Sequence, residues 1–267
     1  AIAYSEKHIK GREKIDLPDL RNIRIDVLEG EQNSGLYWGI PSIQAFHSIV
    51  PGSIIEFYPL VGVERNVSSR PKIEKIALRS FLSVKYLFEG KNSDEIDAFG
   101  FEKIDTQNGF GVWENKNYIP LGFTYDKYIP RDVWEGLSEY SKERMLLKAI
   151  VLEPDDIEKY GHLFELFDTS VYYDTSNYAI EIDSQQRRME SVKYFERDNR
   201  GFDAKIETTR ETLVFFTVPF EPGWSAKVNG KDVPIIKSNI GFMSVKVPEG
   251  ESEIRFNFMT PGLIEGL

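Results

Sequence analysis

Apolar and polar residues alternate along the last third of the chain, a pattern typical of strands that bury one face. Short turns rich in glycine, proline and asparagine separate the alternating segments, such as Asn229-Gly230. The predicted strands are residues 178–182, 191–197, 201–208, 212–218, 224–228, 241–247 and 252–259. Short strands joined by tight turns in this way predict an antiparallel β-sandwich.

The preceding part of the chain mixes helical and strand periodicity. A helix is expected from Ser53 to residue 61, and a second over residues 77–87, whose end (VKYLF) fits a strand equally well. Residues 130–150 place apolar side chains at helical spacing and predict a third helix.

Strands are also expected in this part of the chain. Ile23, Ile25 and Val27 alternate with charged residues, which predicts a strand. Residues 100–125 predict a hairpin that turns near Gly109, followed by a strand over 121–125. We therefore predict an α+β fold, with a mixed α/β lobe at 1–167, including an irregular N-terminal lead-in, and an antiparallel β-sandwich at 168–267.

The composition argues against some classes of binding partner and excludes some kinds of catalytic and metal site. The 33 basic and 43 acidic residues give a net charge of −10, which argues against a nucleic-acid partner. The absence of cysteine removes thiol nucleophiles, disulfides and thiolate metal sites. No apolar run reaches the roughly 18 residues that cross a bilayer, and no signal peptide is recognisable, so a soluble piece is expected.

Local motifs for catalysis are missing from the sequence. GxSxG, HExxH, the Walker A spacing and paired CxxC do not occur. The histidines are His8, His47 and His162, and a metal site made from them would need one from the N-terminal lead-in. Asp155 and Asp156 follow a proline and suit the first turn of a helix. We predict no catalytic residue, metal or cofactor in this chain.

Aromatic and polar residues near glycine-rich turns are the best candidates for ligand contact. Indole faces hold sugars, and amide or imidazole groups bind hydroxyls or phosphate. The candidate binding residues are Trp38, Gln44, His47, Trp113 and Asn115. Trp134 and Trp224 lie in a predicted helix and strand and are expected in the core instead.

The C-terminal sequence carries a family resemblance. The stretch LVFFTVPFEPGWSAKVNGKDVPIIKSNIGFMSVKVPEGESEIRFNFMTPG resembles the tail domain of the YfhO-type bacterial membrane protein family. Shorter similar stretches occur upstream, among them Gly35-Leu36-Tyr37, Leu78-Arg79-Ser80 and Pro120-Leu121-Gly122-Phe123. The resemblance spans roughly residues 20 to 262.

The resemblance implies a multi-pass protein of the GT-C glycosyltransferase type, with a membrane section before this domain and a helix after it. The chain is then an excised domain from the extracytoplasmic face of the cell membrane. The implied activity is glycosylation of a cell-envelope polymer, with teichoic acid the expected polymer, from a polyprenyl-phosphate sugar. The catalytic carboxylate is expected in the membrane section, so this chain alone is not expected to be catalytic.

Two roles for the domain remain open at this stage. It forms part of the acceptor site for the polymer or its sugar, or it is a noncatalytic scaffold that binds the membrane section and membrane partner proteins. An acceptor site requires exposed aromatic and polar groups that converge on a cleft, whereas a scaffold requires a flat apolar patch. An independent hydrolase or a transport accessory is a third class, which the missing motifs disfavour.

Overall fold

A computed structural model describes residues 15–20, 22–28, 30, 33–46, 50–64, 68–90 and 95–262. Its α-helices are α1 (Ser34–Trp38), α2 (Gly52–Leu60), α3 (Ile76–Phe81), α4 (Arg131–Glu135), α5 (Glu139–Lys148), α6 (Pro154–Tyr160) and α7 (Asn177–Met189). A 3₁₀ turn covers Gly161–Leu163. Within these described ranges, no helix is both long enough and apolar enough to cross a membrane.

The strands of the first part of the chain are short. They are β1 (Arg24–Leu28), β2 (Ala45–Phe46), β3 (Ser68–Ser69), β4 (Val84–Glu89), β5 (Phe101–Gln107), β6 (Phe110–Asn115), β7 (Gly122–Thr124), β8 (Lys127–Pro130), β9 (Ile150–Leu152) and β10 (Glu165–Leu166). One sheet has the order β1-β4-β6-β5, in which β1 is parallel to β4 and the other pairs are antiparallel. A parallel sheet of order β10-β8-β9 lies farther along the chain.

The last third of the chain forms two antiparallel sheets. Its strands are β11 (Tyr194–Arg197), β12 (Gly201–Thr208), β13 (Thr212–Pro219), β14 (Trp224–Val228), β15 (Lys231–Val233), β16 (Ile236–Ser238), β17 (Phe242–Val247) and β18 (Gly250–Phe258). One sheet has the order β11-β12-β18-β14-β15 and the other β16-β17-β13-β7. Phe202 and Phe256 of the first sheet pack with Phe216 and Val245 of the second in one apolar cluster. This is the arrangement of a β-sandwich, and the predicted α+β class is confirmed.

The two predicted parts of the chain share a sheet and a core. Strand β7 precedes the predicted boundary at residue 167 but pairs with β13 of the sandwich. The ring of Phe81 stacks 5.4 Å from that of Phe215, and the ring of Phe57 lies 4.9 Å from that of Phe242. These contacts fix the orientation of the α/β part against the sandwich.

Asparagine-glycine turns close two hairpins as predicted. Asn108 and Gly109, between β5 and β6, have φ angles of 51° and 73°. Asn229 and Gly230, between β14 and β15, have φ angles of 50° and 77°. Two successive positive φ angles match the twist of a two-residue hairpin loop, and asparagine and glycine adopt them most easily.

The prediction of a strand at 178–182 is wrong, because these residues lie in α7. Ser176 caps that helix by accepting a hydrogen bond from the Ala179 N–H at 3.3 Å. The buried residues Ile180, Ser184 and Arg187 follow helical spacing, so the local alternation of Tyr178 to Ile182 does not decide the structure.

Two other predicted helices are shorter than the sequence pattern indicates. The helix expected over 77–87 ends at Phe81, and Ser83, with a φ of 60°, turns the chain into β4. The helix expected over 130–150 divides into α4 and α5, because Ser138 caps α5 through the Ser141 N–H at 3.2 Å. Asp155 and Asp156 lie in the first turn of α6, as predicted.

Candidate functional site

Both tryptophans that the sequence singled out for binding are buried. Trp38 is 1% exposed, and its ring lies 5.2 Å from that of Phe88 on the first sheet. Trp113 is 5% exposed and belongs to β6, which pairs with β4 on one side and with β5 on the other. The expectation that these indoles face solvent is therefore wrong, since both are buried in the α/β part.

The other three candidates do not join them in a cleft. Gln44 is buried and donates a hydrogen bond to Asp26. Asn115 is buried and donates from Nδ2 to the Val84 carbonyl at 2.9 Å. His47 lies outside the described residues. A role in binding for these five residues stays a prediction, and solvent-facing indoles can no longer support it.

Asp26 and Arg79 form a buried ion pair in the α/β part. Both side chains are 0% exposed, and Arg79 Nε donates to Asp26 Oδ2 at 2.8 Å. Arg79 also donates to backbone carbonyls of the preceding loop, including that of Pro71 at 2.9 Å. The stretch Leu78-Arg79-Ser80 that carries part of the resemblance thus has a structural role, because it ties α3 and its loop to β1.

A cleft of about 340 Å³ opens where β1 meets one end of the sandwich. Its volume is within the range of small-molecule sites. We call it the arginine–aromatic cleft, after the six lining residues on which its chemistry depends. They are Arg24, Phe195, Arg197, Arg200, Trp224 and Phe258.

Half-buried aromatic rings form one wall of the cleft. Phe195 stacks on Phe202 with their ring centroids 5.0 Å apart. The ring centroid of Phe202 lies 5.9 Å from that of Trp224. Trp224 in turn lies 5.0 Å from Phe258. Trp224, expected in the core, thus packs against the sandwich core with part of its surface and lines the cleft with another part.

Arg24 supplies a cation that the fold holds in place. Its Nη1 donates to the Leu82 carbonyl at 2.9 Å and to Thr217 Oγ1 at 2.8 Å, and its Nη2 donates to the Thr217 carbonyl. Burial is the main cause that lowers the pKa of the Arg24 guanidinium to about 10, and the charge of Arg197 acts in the same direction. Arg24 still carries its charge at neutral pH.

Arg197 at the end of β11 and the turn between β11 and β12 contribute the remaining charges of the cleft. Asp198 accepts hydrogen bonds from the Arg200 and Gly201 N–H groups and forms an ion pair with Arg255 at 2.9 Å. The hydrogen bond from Arg255 lowers the pKa of Asp198. The negative charge of Asp198 is therefore neutralised by Arg255, within the sandwich. The exposed guanidinium of Arg200 contacts no acceptor among the described residues. The cleft is therefore locally positive on a chain of net charge −10.

Other titratable clusters of the described residues have structural partners. Burial raises the pKa of Glu143, against the opposing charges of Lys75 and Arg144. Arg144 Nη1 lies 2.6 Å from Glu143 Oε1, and Lys75 Nζ lies 3.6 Å from Oε2. No group of three or more histidine, aspartate or glutamate side chains in the described ranges could hold a metal ion.

The cleft has no signature in the local sequence pattern, because its parts are distant in the chain. Arg24 comes from β1, Arg200 from a turn of the sandwich and Trp224 from the start of β14. The available local signal is the turn Asn199-Arg200-Gly201, which lies between the aromatic residues Phe195 and Phe202.

Comparison with known proteins agrees with the resemblance. The family described as "Bacterial membrane protein YfhO" matches residues 22–211 and 170–267, which together cover most of the chain. "Uncharacterized protein YfhO" of Bacillus subtilis (strain 168) is 26% identical over 137 residues, which are 49% of this chain and 16% of that protein. No solved structure matches the chain. The chain thus belongs to the YfhO family of bacterial membrane proteins.

Proposed function

We propose that this chain is the extracytoplasmic domain of a YfhO-type membrane protein and that it binds the acceptor during glycosylation of a cell-envelope polymer. The observation that carries the proposal is the arginine–aromatic cleft, whose lining combines half-buried aromatic rings with arginine side chains. Aromatic faces suit the apolar side of a sugar ring, and guanidinium groups suit phosphate oxygens. A polymer with both groups, such as a teichoic acid, fits this pair of features.

Sugar transfer itself is assigned to the membrane section of the protein. The family resemblance implies a polyprenyl-phosphate sugar as donor and a catalytic carboxylate between membrane helices. The chain matches only 16% of the length of the Bacillus subtilis relative, so the activity of the whole protein is part of the proposal. In this scheme the domain presents the polymer and the membrane section performs the chemistry.

A binding titration with glycerol-phosphate oligomers that carry a sugar tests the proposal. Trp224→Ala should weaken binding about tenfold, because it removes a ring of the aromatic wall. Trp224→Phe should retain most of the affinity. Tyr172→Ala is the matched control, since Tyr172 is highly exposed and does not line the cleft. Equal affinities for the wild type and Trp224→Ala, with both variants folded, would contradict acceptor binding in the cleft.

The scaffold role is the second candidate, and the surface of α7 favours it. Tyr178, Ile182 and Met189 are exposed and share one side of this helix. In the whole protein, Ile182→Asp combined with Met189→Asp should lower the amount of folded protein in the membrane if this side contacts the membrane section. Ile104→Asp, at an exposed position of β5, is the control. Unchanged levels of the α7 variant would remove the support for the scaffold role.

A further inference from the structure

Arg24 differs from the other arginines that the described part of the chain buries wholly or partly. Each of the others forms an ion pair with a carboxylate. These pairs are Arg79 with Asp26, Arg131 with Glu153, Arg144 with Glu143, Arg187 with Asp126, and Arg255 with Asp203. Arg24 contacts only neutral oxygens of Leu82 and Thr217. A cation withdrawn from water without a counter-ion is costly, so the protein gains if a ligand supplies the negative charge.

The hydrogen bonds of Arg24 leave one edge of its guanidinium available. Both N–H groups of Nη1 are used, by the Leu82 carbonyl and by Thr217 Oγ1, and one N–H of Nη2 is used by the Thr217 carbonyl. The Nε–H and the second Nη2–H have no acceptor among the described residues. These two donors form the side edge with which arginine binds an anion in two parallel hydrogen bonds.

We propose that the arginine–aromatic cleft binds a phosphate ester, which Arg24 of β1 holds through its side edge and which Arg200, on the turn between β11 and β12, also contacts. This inference rests on the proposed function and names the anionic group that the cleft recognises. A carboxylate is planar and is satisfied by one arginine fork, whereas the tetrahedral oxygens of a phosphate accept bonds from guanidiniums in different directions. Arginines from two separate elements therefore favour phosphate.

The chain is titrated with inorganic phosphate, glycerol 1-phosphate and a short-chain prenyl phosphate. Binding is measured by calorimetry and by the shifts of amide NMR signals. Arg200→Gln should weaken binding of the phosphate esters about tenfold, the value of one charge-assisted hydrogen bond. Arg24→Lys keeps the charge but loses the fork, so it should weaken binding as well. Arg188→Gln, an exposed arginine of α7 outside the cleft, should bind as the wild type does.

The three ligands separate the sources of the phosphate. Tighter binding of glycerol 1-phosphate than of prenyl phosphate identifies the polymer as the source, and the reverse order identifies the lipid-linked donor. Either order supports a phosphate site, provided that Arg200→Gln weakens it. Arg24 also joins the α/β part to the sandwich, so the binding result of Arg24→Lys counts only if the melting temperature of this variant is unchanged. If the melting temperature falls, the result of Arg200→Gln alone decides the test.

Other outcomes overturn the inference in distinguishable ways. Equal binding by the wild type, Arg24→Lys and Arg200→Gln, or equal weakening by Arg188→Gln, excludes recognition by the cleft arginines. If the sugar-bearing oligomer binds in a Trp224-dependent way while the phosphate esters do not bind, the phosphate site is wrong and the proposed function stands. If neither the oligomer nor the phosphate esters bind, both are wrong.

Discussion

Thr217 is a buried residue of β13 whose two oxygens both accept hydrogen bonds from Arg24. Its hydroxyl also lies 3.2 Å from Ser83 Oγ. Thr217→Val keeps the shape of the side chain but leaves a partly buried guanidinium N–H without an acceptor. We expect a loss of about 1–3 kcal/mol in the free energy of unfolding, measured by urea denaturation.

Thr212, at the other end of the same strand, provides the matched control. It is also buried, but its hydroxyl has no hydrogen-bond partner among the described residues. Thr212→Val should therefore be neutral or stabilising, because it removes an unsatisfied polar atom. Equal losses for the two variants would show that the hydroxyl of Thr217 does not contribute through its bond to Arg24.

Asp26 is the residue for which the largest loss of stability is expected. Asp26→Asn leaves Arg79 buried without a counter-ion, and breaking such a pair costs about 3–5 kcal/mol. Thermal or urea unfolding measures this loss. Glu253→Gln, which breaks the exposed pair with Lys205 at 2.5 Å, should leave stability nearly unchanged. A small effect of Asp26→Asn would mean that water reaches the pair.

Individual side chains were the least predictable feature of the sequence. Trp38 and Trp113 follow or precede glycine-rich segments, yet both are buried, because local glycine content does not report the packing of a sheet face. Trp224 was expected in the core and lines the cleft. Arg24 showed no local signal, since its role depends on Thr217, far away in the sequence.

The sequence pattern predicted most of the sandwich strands correctly but failed for helix α7. The sandwich strands β12 and β14 have the predicted bounds, because alternation over their length coincides with burial on one face. In α7 the apolar residues Tyr178 and Ile182 are exposed and Ile180 is buried, so alternation indicated a strand inside a helix. Burial by distant contacts decided the structure of that segment.

One contact that docks α7 depends on pH. Burial alone would raise the pKa of Asp126, but the hydrogen bond from Arg210 and the charge of Arg187 of α7 outweigh this effect, and the pKa is lowered. The ionised form is favoured in the folded state, so this stabilisation is present above the unfolded pKa of about 3.8 and is lost as pH falls through the folded pKa.

Asp126→Asn tests this pH dependence. The variant should be less stable than the wild type at pH 7, and the difference in unfolding free energy should shrink as pH falls below about 4. Urea denaturation at a series of pH values gives this difference directly. A difference that stays constant over the whole series would show that the charge of Asp126 does not stabilise the fold.

At the scale of the whole molecule, the cleft exists because the two parts of the chain are joined rigidly. Strand β7 pairs with β13, and Arg24 of β1 bonds to Thr217 of the same strand β13. The sequence predicted both parts but not their contact, because the pairing of β7 leaves no pattern in the α/β segment. The contact between the parts brings Arg24 and the turn that carries Arg200 into the lining of one cleft.

Acceptor binding by this domain is tested most directly by measuring sugar transfer by the whole membrane protein, purified in lipid, with polyprenyl-phosphate sugar and polymer acceptor. If this domain binds the acceptor, Trp224→Ala combined with Arg200→Gln should raise the KM for the polymer about tenfold or more and leave the KM for the donor unchanged. Tyr172→Ala combined with Arg188→Gln should change neither value. An unchanged KM for the polymer in the cleft variant, with the protein folded and active, would contradict acceptor binding by this domain.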